Sequence, residues 1–519
     1  MIGRSGRTRS GDPRTWVFTF AAWGSLTVLW SLSVGMGGSP DEPAHIVKAV
    51  AVADLQFDTA VRWGEGGFDS SVPRTEVRVP RAYSKLHRDR TCWTGDTTAA
   101  ASCMSLDPST DEVAASTYVG TYPPTYYMVV GLPSRVASPP GSLYAMRVVS
   151  ALLTAAFLTE ATLAVRRSGR SGAGAAAMAL AVPASVLFLG STVNPNGLEA
   201  AAALCLWATA ISSAVDSRQP RMRSLVSLAI SALTLSWLRP LGPAYAVVIL
   251  AVAFGTFATV PVFRSLWASL RVRLLIVGLA LSGVAAVAFA LVNSSFTSLI
   301  TYEGAGDRSA VEAATAAVGD LGAHLLRAWG LLGWQGTNTF TVPFWITIPW
   351  LSLVGALVVS TLIFGRWRTR LGVALLTLGC VVGPVAPTVL SRGTPWQGRY
   401  MLPLLVGIPL VAVAVLERSL DPARIRFLGR LARPVVAFCA LALLVSHQHL
   451  MNRTVVGLPA RPLANLTSGT WHGPLTPPIL CLWAVTASTL WAVNMLAIRW
   501  DGSDPAAPAS PEPPPRQVA

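Results

Sequence analysis

The segment Ser39-Pro-Asp-Glu-Pro-Ala-His-Ile-Val-Lys48 places two carboxylates, an imidazole and an ammonium within ten residues. On a helix opening near Pro43, Asp41, His45 and Lys48 fall at i, i+4 and i+7 and share a face. A carboxylate held there could draw a proton from a hydroxyl or help to hold a divalent cation. Capping offers a plainer account: Pro43 suits the first helical position, and Asp41 or Glu42 suits the cap before it. One carboxylate is enough to cap, however, and the segment carries two. Asp41, Glu42 and His45 are therefore the candidate catalytic residues.

Three further clusters stand at the ends of apolar runs, on the same side as this segment. They are Tyr122-Pro-Pro-Thr-Tyr-Tyr127, Asn194-Pro-Asn-Gly-Leu-Glu199 and Trp396-Gln-Gly-Arg-Tyr400. Each has a structural reading, since aromatics anchor at headgroup depth, Asn-Pro and Asn-Gly make turns, and arginine snorkels. Arg399, beside Gln397 and Tyr400, also has the two-pronged geometry that grips a phosphate. Tyr122, Tyr126, Asn194, Asn196, Gln397, Arg399 and Tyr400 are the candidate substrate-binding residues.

The histidines do not suggest zinc: His447 and His449 are two apart on a helix, and His324 and His472 stand alone. The chain has no Walker loop, Rossmann glycine fingerprint or nucleophile elbow, so no nucleotide cofactor is expected. A divalent cation remains open.

These residues must be positioned by membrane helices. The chain has 519 residues, of which 52% are hydrophobic and 13% charged, and its mean hydropathy is +0.52. A soluble fold of this size carries roughly twice that share of charge. The net charge of +15 is spread in short arginine clusters between apolar runs, which argues against a nucleic-acid surface. Apolar runs predict about twelve transmembrane helices, near 16–34, 142–165, 172–190, 197–215, 224–238, 241–262, 274–293, 343–364, 371–390, 400–416, 433–450 and 476–497. Alternate connections hold the arginines, for example Arg166, Arg167 and Arg170, then Arg218, Arg221 and Arg223. The positive-inside rule then makes both termini cytoplasmic in a multi-pass plasma-membrane protein.

This orientation leaves 35–141, 294–342 and 451–475 outside, the first being a large extracytoplasmic loop. Within it an oxidising exterior favours a bridge between Cys92 and Cys103. Residues 1–15 are a cytoplasmic segment, 16–498 one polytopic domain, and the Pro/Ala-rich 499–519 a disordered cytoplasmic tail.

The segments PDEPAHI, YPPTYY, NPNG and QGRY, in that order among about twelve spans, resemble the bacterial polytopic membrane proteins of domain-of-unknown-function family 2142. The resemblance runs from about Pro40 to beyond Tyr400. That family in turn resembles the GT-C class of glycosyltransferases, which use polyprenyl-phosphate sugars and carry an essential acid in the first outer loop. The resemblance implies an all-α, GT-C-like membrane fold and an inverting transfer of sugar to an envelope acceptor at the outer face. Asp41 or Glu42 would be the acid, and membrane lipid, a polyprenyl-phosphate-linked sugar and a saccharide acceptor would be the partners. Two other classes compete: a transporter or flippase of a lipid-linked saccharide, for which Pro183, Pro384 and Pro387 interrupt spans, and a non-catalytic envelope-assembly protein.

Overall fold

The computed structural model describes residues 13–61, 74–89, 91–106, 109–215, 221–296, 308–334, 340–391 and 396–497. Most of the N-terminal segment 1–15 and all of the tail 499–519 lie outside these residues. The helices that matter here are α1 (Pro13–Ser33), α2 (Glu42–Ala53), α3 (Arg81–Asp89), α4 (Thr125–Val130) and α5 (Gly141–Ser168). They continue with α6 (Ala173–Ala181), α7 (Ala184–Gly190), α8 (Pro195–Val215), α9 (Met222–Leu238), α10 (Gly242–Phe257), α11 (Leu270–Val292) and α12 (Leu321–Gly330). The last five are α13 (Phe344–Phe364), α14 (Trp367–Leu390), α15 (Gly398–Ser419), α16 (Pro422–Val455) and α17 (Pro477–Ala497).

Among the described residues nine helices are long and apolar enough to cross a membrane. The pair α6 and α7, bent by 58° at a short break, makes a tenth if the two count as one span. The bend falls at Pro183, which lacks an N–H and cannot continue the helical ladder. Helices α9 and α10, of 17 and 16 residues, complete the set, so each of the twelve apolar runs coincides with helix. The chain is an all-α membrane protein.

Helices α8 and α15 form the centre. Each has 89% of its apolar stretch buried, against 11% for the peripheral α11. Trp207 of α8 donates its indole N–H to the Pro403 carbonyl of α15 at 3.0 Å, which satisfies a polar group that lipid could not. Around them, α5, α9 and α10 pack on α8, and α6 and α13 pack on α15.

The first loop folds onto the end of this bundle. It contains a two-stranded antiparallel sheet that the helical patterning did not anticipate: β1 (Thr75–Pro80) pairs with β2 (Glu112–Thr117), Thr75 opposite Thr117. In β1, Thr75, Val77 and Val79 are more buried than Glu76 and Arg78, the period of two that lays one sheet face on a neighbour. That neighbour is α2, whose Ala44 carbonyl accepts from the Thr117 hydroxyl at 2.9 Å. Cys92 and Cys103 are bonded to each other, and Arg453 of α16 ties this region down by donating to the backbone carbonyls of Trp93, Asp96 and Ala99.

Candidate functional site

Asp41 is the residue before α2, and its backbone is left-handed, with φ at 60°. Aspartate tolerates this region better than most residues. The consequence is that neither acid caps: the Asp41 side chain makes no cap hydrogen bond, contrary to the plainer sequence reading. Its Oδ2 instead meets Nη2 of Arg399, and its Oδ1 accepts from the Tyr118 hydroxyl at 2.8 Å. Arg399 stands in the first turn of α15, and Tyr118 immediately follows β2. Three distant parts of the chain therefore meet at one carboxylate, which keeps a fifth of its side chain exposed while Arg399 is buried.

Glu42 points elsewhere. It is fully buried, and Arg147 of α5 engages both its oxygens, at 2.7 and 2.6 Å. The same guanidinium donates to the carbonyls of Val34 and Gly35 at the end of α1, and Glu42 also accepts from the Val193 amide at 3.1 Å. The adjacent acids thus have separate surroundings: Glu42 is saturated with partners and holds the turn to α1, α5 and the start of α8, whereas Asp41 faces the cluster at the end of α15.

The Asn194-Pro-Asn-Gly segment is the platform for that turn. Asn194 donates to the Pro40 carbonyl at 2.7 Å, and its own Oδ1 accepts from the Asn196 amide and side chain at 3.0 and 2.7 Å. Asn196 passes the contact to Arg239, whose Nη1 donates to it at 2.6 Å and to Glu199 at 3.2 Å. Arg239 lies over the Tyr400 ring at 4.5 Å and the Tyr122 ring at 5.8 Å, and Arg399 lies 5.4 Å from the same Tyr400 ring. Two glycines of the sequence motifs are required sterically. A Cβ at Gly197 would collide with the Gly190 backbone, and one at Gly398 with the His324 carbonyl of α12.

His45 turns its Nδ1 to the Tyr127 hydroxyl at 2.8 Å and its ring toward Tyr122 at 6.3 Å. Tyr126 reaches Ser150 of α5 at 3.0 Å. Asp41, His45, Tyr122, Asn194, Asn196, Arg399 and Tyr400 are therefore brought together, with Tyr126 at the margin. Gln397 is half-buried and takes part through its carbonyl, which accepts the Tyr400 amide at 3.0 Å. The sequence reading missed Arg147, Tyr118 and the role of Arg239. Only Arg239 and Arg147 left a trace, as arginines near span ends outside the dispersed clusters.

Burial is the largest influence on Asp41, His45 and Lys48. It raises the Asp41 carboxyl, but Arg399 and the other nearby donors outweigh it and hold the group below the usual carboxylate range. Burial pushes His45 down to about 3 against the opposing pull of Asp41, with Arg239, Arg399 and Lys48 adding to the depression. Lys48, which donates to the Gly120 carbonyl and sits over the Tyr127 ring, is pushed down to about 7. At neutral pH the arrangement is an ionised Asp41 beside a neutral imidazole.

Among the described residues no group of three or more His, Cys, Asp or Glu side chains is placed to hold a metal. Asp41 and Glu42 are each engaged by a different arginine. Two nitrogens of Arg399, Nε and Nη1, are buried without a hydrogen-bond partner, as is Nε of Arg239. Buried donors of this kind normally find an acceptor.

Fold and site together define a polytopic α-helical membrane protein with a polar, arginine-rich centre where its first loop meets the bundle. The chain belongs to the family described as "Predicted membrane protein (DUF2142)", whose model matches residues 25–408. Among solved structures it is similar to that of ArnT from Cupriavidus metallidurans bound to undecaprenyl phosphate, at 15% identity and a TM-score of 0.40, over 95% of this chain and 78% of that one. No curated protein matches it.

Proposed function

We propose that this protein is a glycosyltransferase that moves a sugar from a polyprenyl-phosphate donor to an envelope acceptor at the outer face of the plasma membrane. The observation that carries the reading is the Asp41–Arg399 pair, in which a partly exposed carboxylate adjoins a buried guanidinium with two unused donors. An acid and an anion-binding group side by side are what an inverting transfer from a phosphate leaving group requires. The acceptor hydroxyl attacks the anomeric carbon, its proton passes to Asp41, and the bond from the anomeric carbon to the phosphate oxygen breaks. The electron pair stays on the lipid phosphate, where the Arg399 N–H groups meet the growing charge. A phosphate that occupies Arg399 also loosens its hold on Asp41, which makes the carboxylate a stronger base when donor is bound.

The surroundings agree with a lipid donor. An apolar groove of about 680 Å³ runs between α5 and α9, lined among others by Tyr126, Leu198, Leu233 and Leu238. Three of these adjoin site residues in sequence: Tyr126 precedes Tyr127, Leu198 precedes Glu199, and Leu238 precedes Arg239. A prenyl chain in the groove would bring its phosphate toward Arg239 and Arg399. Positive-inside topology puts this end of the bundle outside the cell. The transporter reading draws on the prolines that interrupt spans, Pro183, Pro384 and Pro387, but Val182 and Ala184 at the first break carry no ionisable side chain that would couple transport to an ion.

The test is transfer of radiolabelled sugar from a polyprenyl-phosphate donor pool in membranes bearing the wild-type or the Asp41→Asn chain at matched expression. Loss of product with the variant supports the proposal. Equal product from both defeats it.

A further inference from the structure

A second groove lies at the opposite, arginine-rich end of the bundle, remote from Asp41. It has a volume of about 310 Å³ and is floored by α6 and α15. One wall is a stripe of α16 that includes Arg424, Leu431 and Val435, and the other a stripe of α13 that includes Leu353, Leu357 and Phe364. These helices meet at the deep end, where the rings of Trp350 and Phe438 are 6.0 Å apart. At the mouth the Arg424 guanidinium lies 5.2 Å from the Phe364 ring.

Three properties of this groove select its occupant. Its depth is the first: from Arg424 to Val435 the wall is about 16 Å long at 1.5 Å rise per residue, and from Phe364 to Leu353 the same. That is close to half of the roughly 30 Å hydrocarbon core, the depth of one leaflet. Its lining is the second, being apolar along its length and bordered by Phe364, Phe427 and Leu431, which are exposed. The third is charge at the mouth. Arg424 is the charged residue that lines the groove there, and Asp421, which caps α16, holds its Nε at 3.2 Å; Arg426, Arg430 and Arg433 leave the same helix with an excess of positive charge beyond the groove. In the groove beside α9 the charged lining residue is instead an acid, Glu160, which is paired with Arg223.

We infer that this groove is a binding site for an anionic glycerophospholipid, with one acyl chain lying between α13 and α16 and the phosphate at Arg424. A basic mouth on a leaflet-deep apolar slot matches such a lipid at both its ends. A zwitterionic lipid would match only the slot, and a free phosphate only the mouth. The lipid would fill the space that α13 and α16 leave open and so brace the two helices against each other.

The experiment uses the full chain in detergent, with added phosphatidylglycerol, phosphatidylcholine or inorganic phosphate. Thermal unfolding and lipid retained in native mass spectrometry are the readouts. Phosphatidylglycerol is expected to raise the melting temperature and to be retained, well beyond either alternative. Arg424→Gln should weaken its retention by roughly fivefold or more, while Arg426→Gln, off the groove stripe, should leave it as in the wild type. Ala356→Trp, which fills the slot from α13, should abolish retention. Equal effects of the two lipids, an equal effect of phosphate alone, or unchanged retention in Arg424→Gln would each overturn the inference. If Ala356→Trp fails to fold, the Arg424→Gln and Arg426→Gln pair still decides it, because both side chains are exposed on α16.

Discussion

Asp41 and Arg399, 358 residues apart in the chain, form an ion pair at the junction of the first loop and α15. The pair brings the acid of one sequence motif to the guanidinium of another, and its two members differ in exposure. Arg399 is buried, so its interactions are strengthened by the low local dielectric, while Asp41 keeps a fifth of its side chain exposed.

Arg399→Ala should lower sugar transfer by roughly ten- to more than a hundredfold. A charge-assisted hydrogen bond contributes about 1.5–3 kcal/mol, and each 1.36 kcal/mol is a factor of ten in rate. Arg399→Lys should recover part of the loss, since an ammonium keeps the charge without the two-pronged geometry. Normal transfer by both variants at matched expression would count against the phosphate role.

The two neighbouring acids should separate under substitution. Glu42→Gln breaks a fully buried pair with Arg147 and leaves that charge uncompensated, so folded protein should fall, by about 3–5 kcal/mol of stability. Asp41→Asn also leaves Arg399 without its carboxylate but should lower the folded yield less, because Asp41 keeps a fifth of its side chain exposed, and the chain that folds should be inactive. Size-exclusion profiles and transfer assays on the same preparations check both; an inactive but well-folded Glu42→Gln chain would reverse the assignment.

Acid stability should report on His45. Its folded value of about 3 lies below the ordinary 6.5, so between those two pH values the unfolded chain binds a proton that the folded chain does not. Stability is therefore full above about pH 6.5 and declines as pH falls toward 3. Melting temperature in detergent from pH 8 to pH 4 should drop less steeply for His45→Gln than for the wild type. Parallel curves would show that His45 carries no such linkage.

Reporter fusions after Asp111 and after Gly169 should score on opposite sides of the membrane, with Asp111 outside. One span, α5, separates them, and the arginines that follow it set the direction. Both reporters on one side would refute the topology.

In non-reduced peptide maps Cys92 and Cys103 should appear linked, while Cys205, Cys380 and Cys439 stay as thiols buried among the helices. The closed loop is short, so loss of the bond should cost roughly 2–3 kcal/mol at most. Two free thiols in protein isolated without reductant would exclude it.

Much of this molecule was legible before folding. Runs of about twenty apolar residues specify spans because a backbone in hydrocarbon must satisfy its own hydrogen bonds, and each of the twelve runs is found as helix. The motif residues were legible too, because carboxylates, arginine and tyrosines at span ends are unusual in a chain with 13% charge. What the sequence left undecided was which acid faces which base. Asp41 and Glu42 are adjacent and chemically alike, and local spacing offered both the same capping role. Only the docking of the first loop gave Glu42 to Arg147 on α5 and Asp41 to Arg399 on α15. The β1–β2 pair that delivers Tyr118 was hidden for the same reason, since its strands pair across more than thirty residues of loop. Period and hydropathy are local properties and can be read along one segment. An ion pair between residues 41 and 399 depends on how twelve helices pack, and that is decided by the shapes of their contacts in three dimensions.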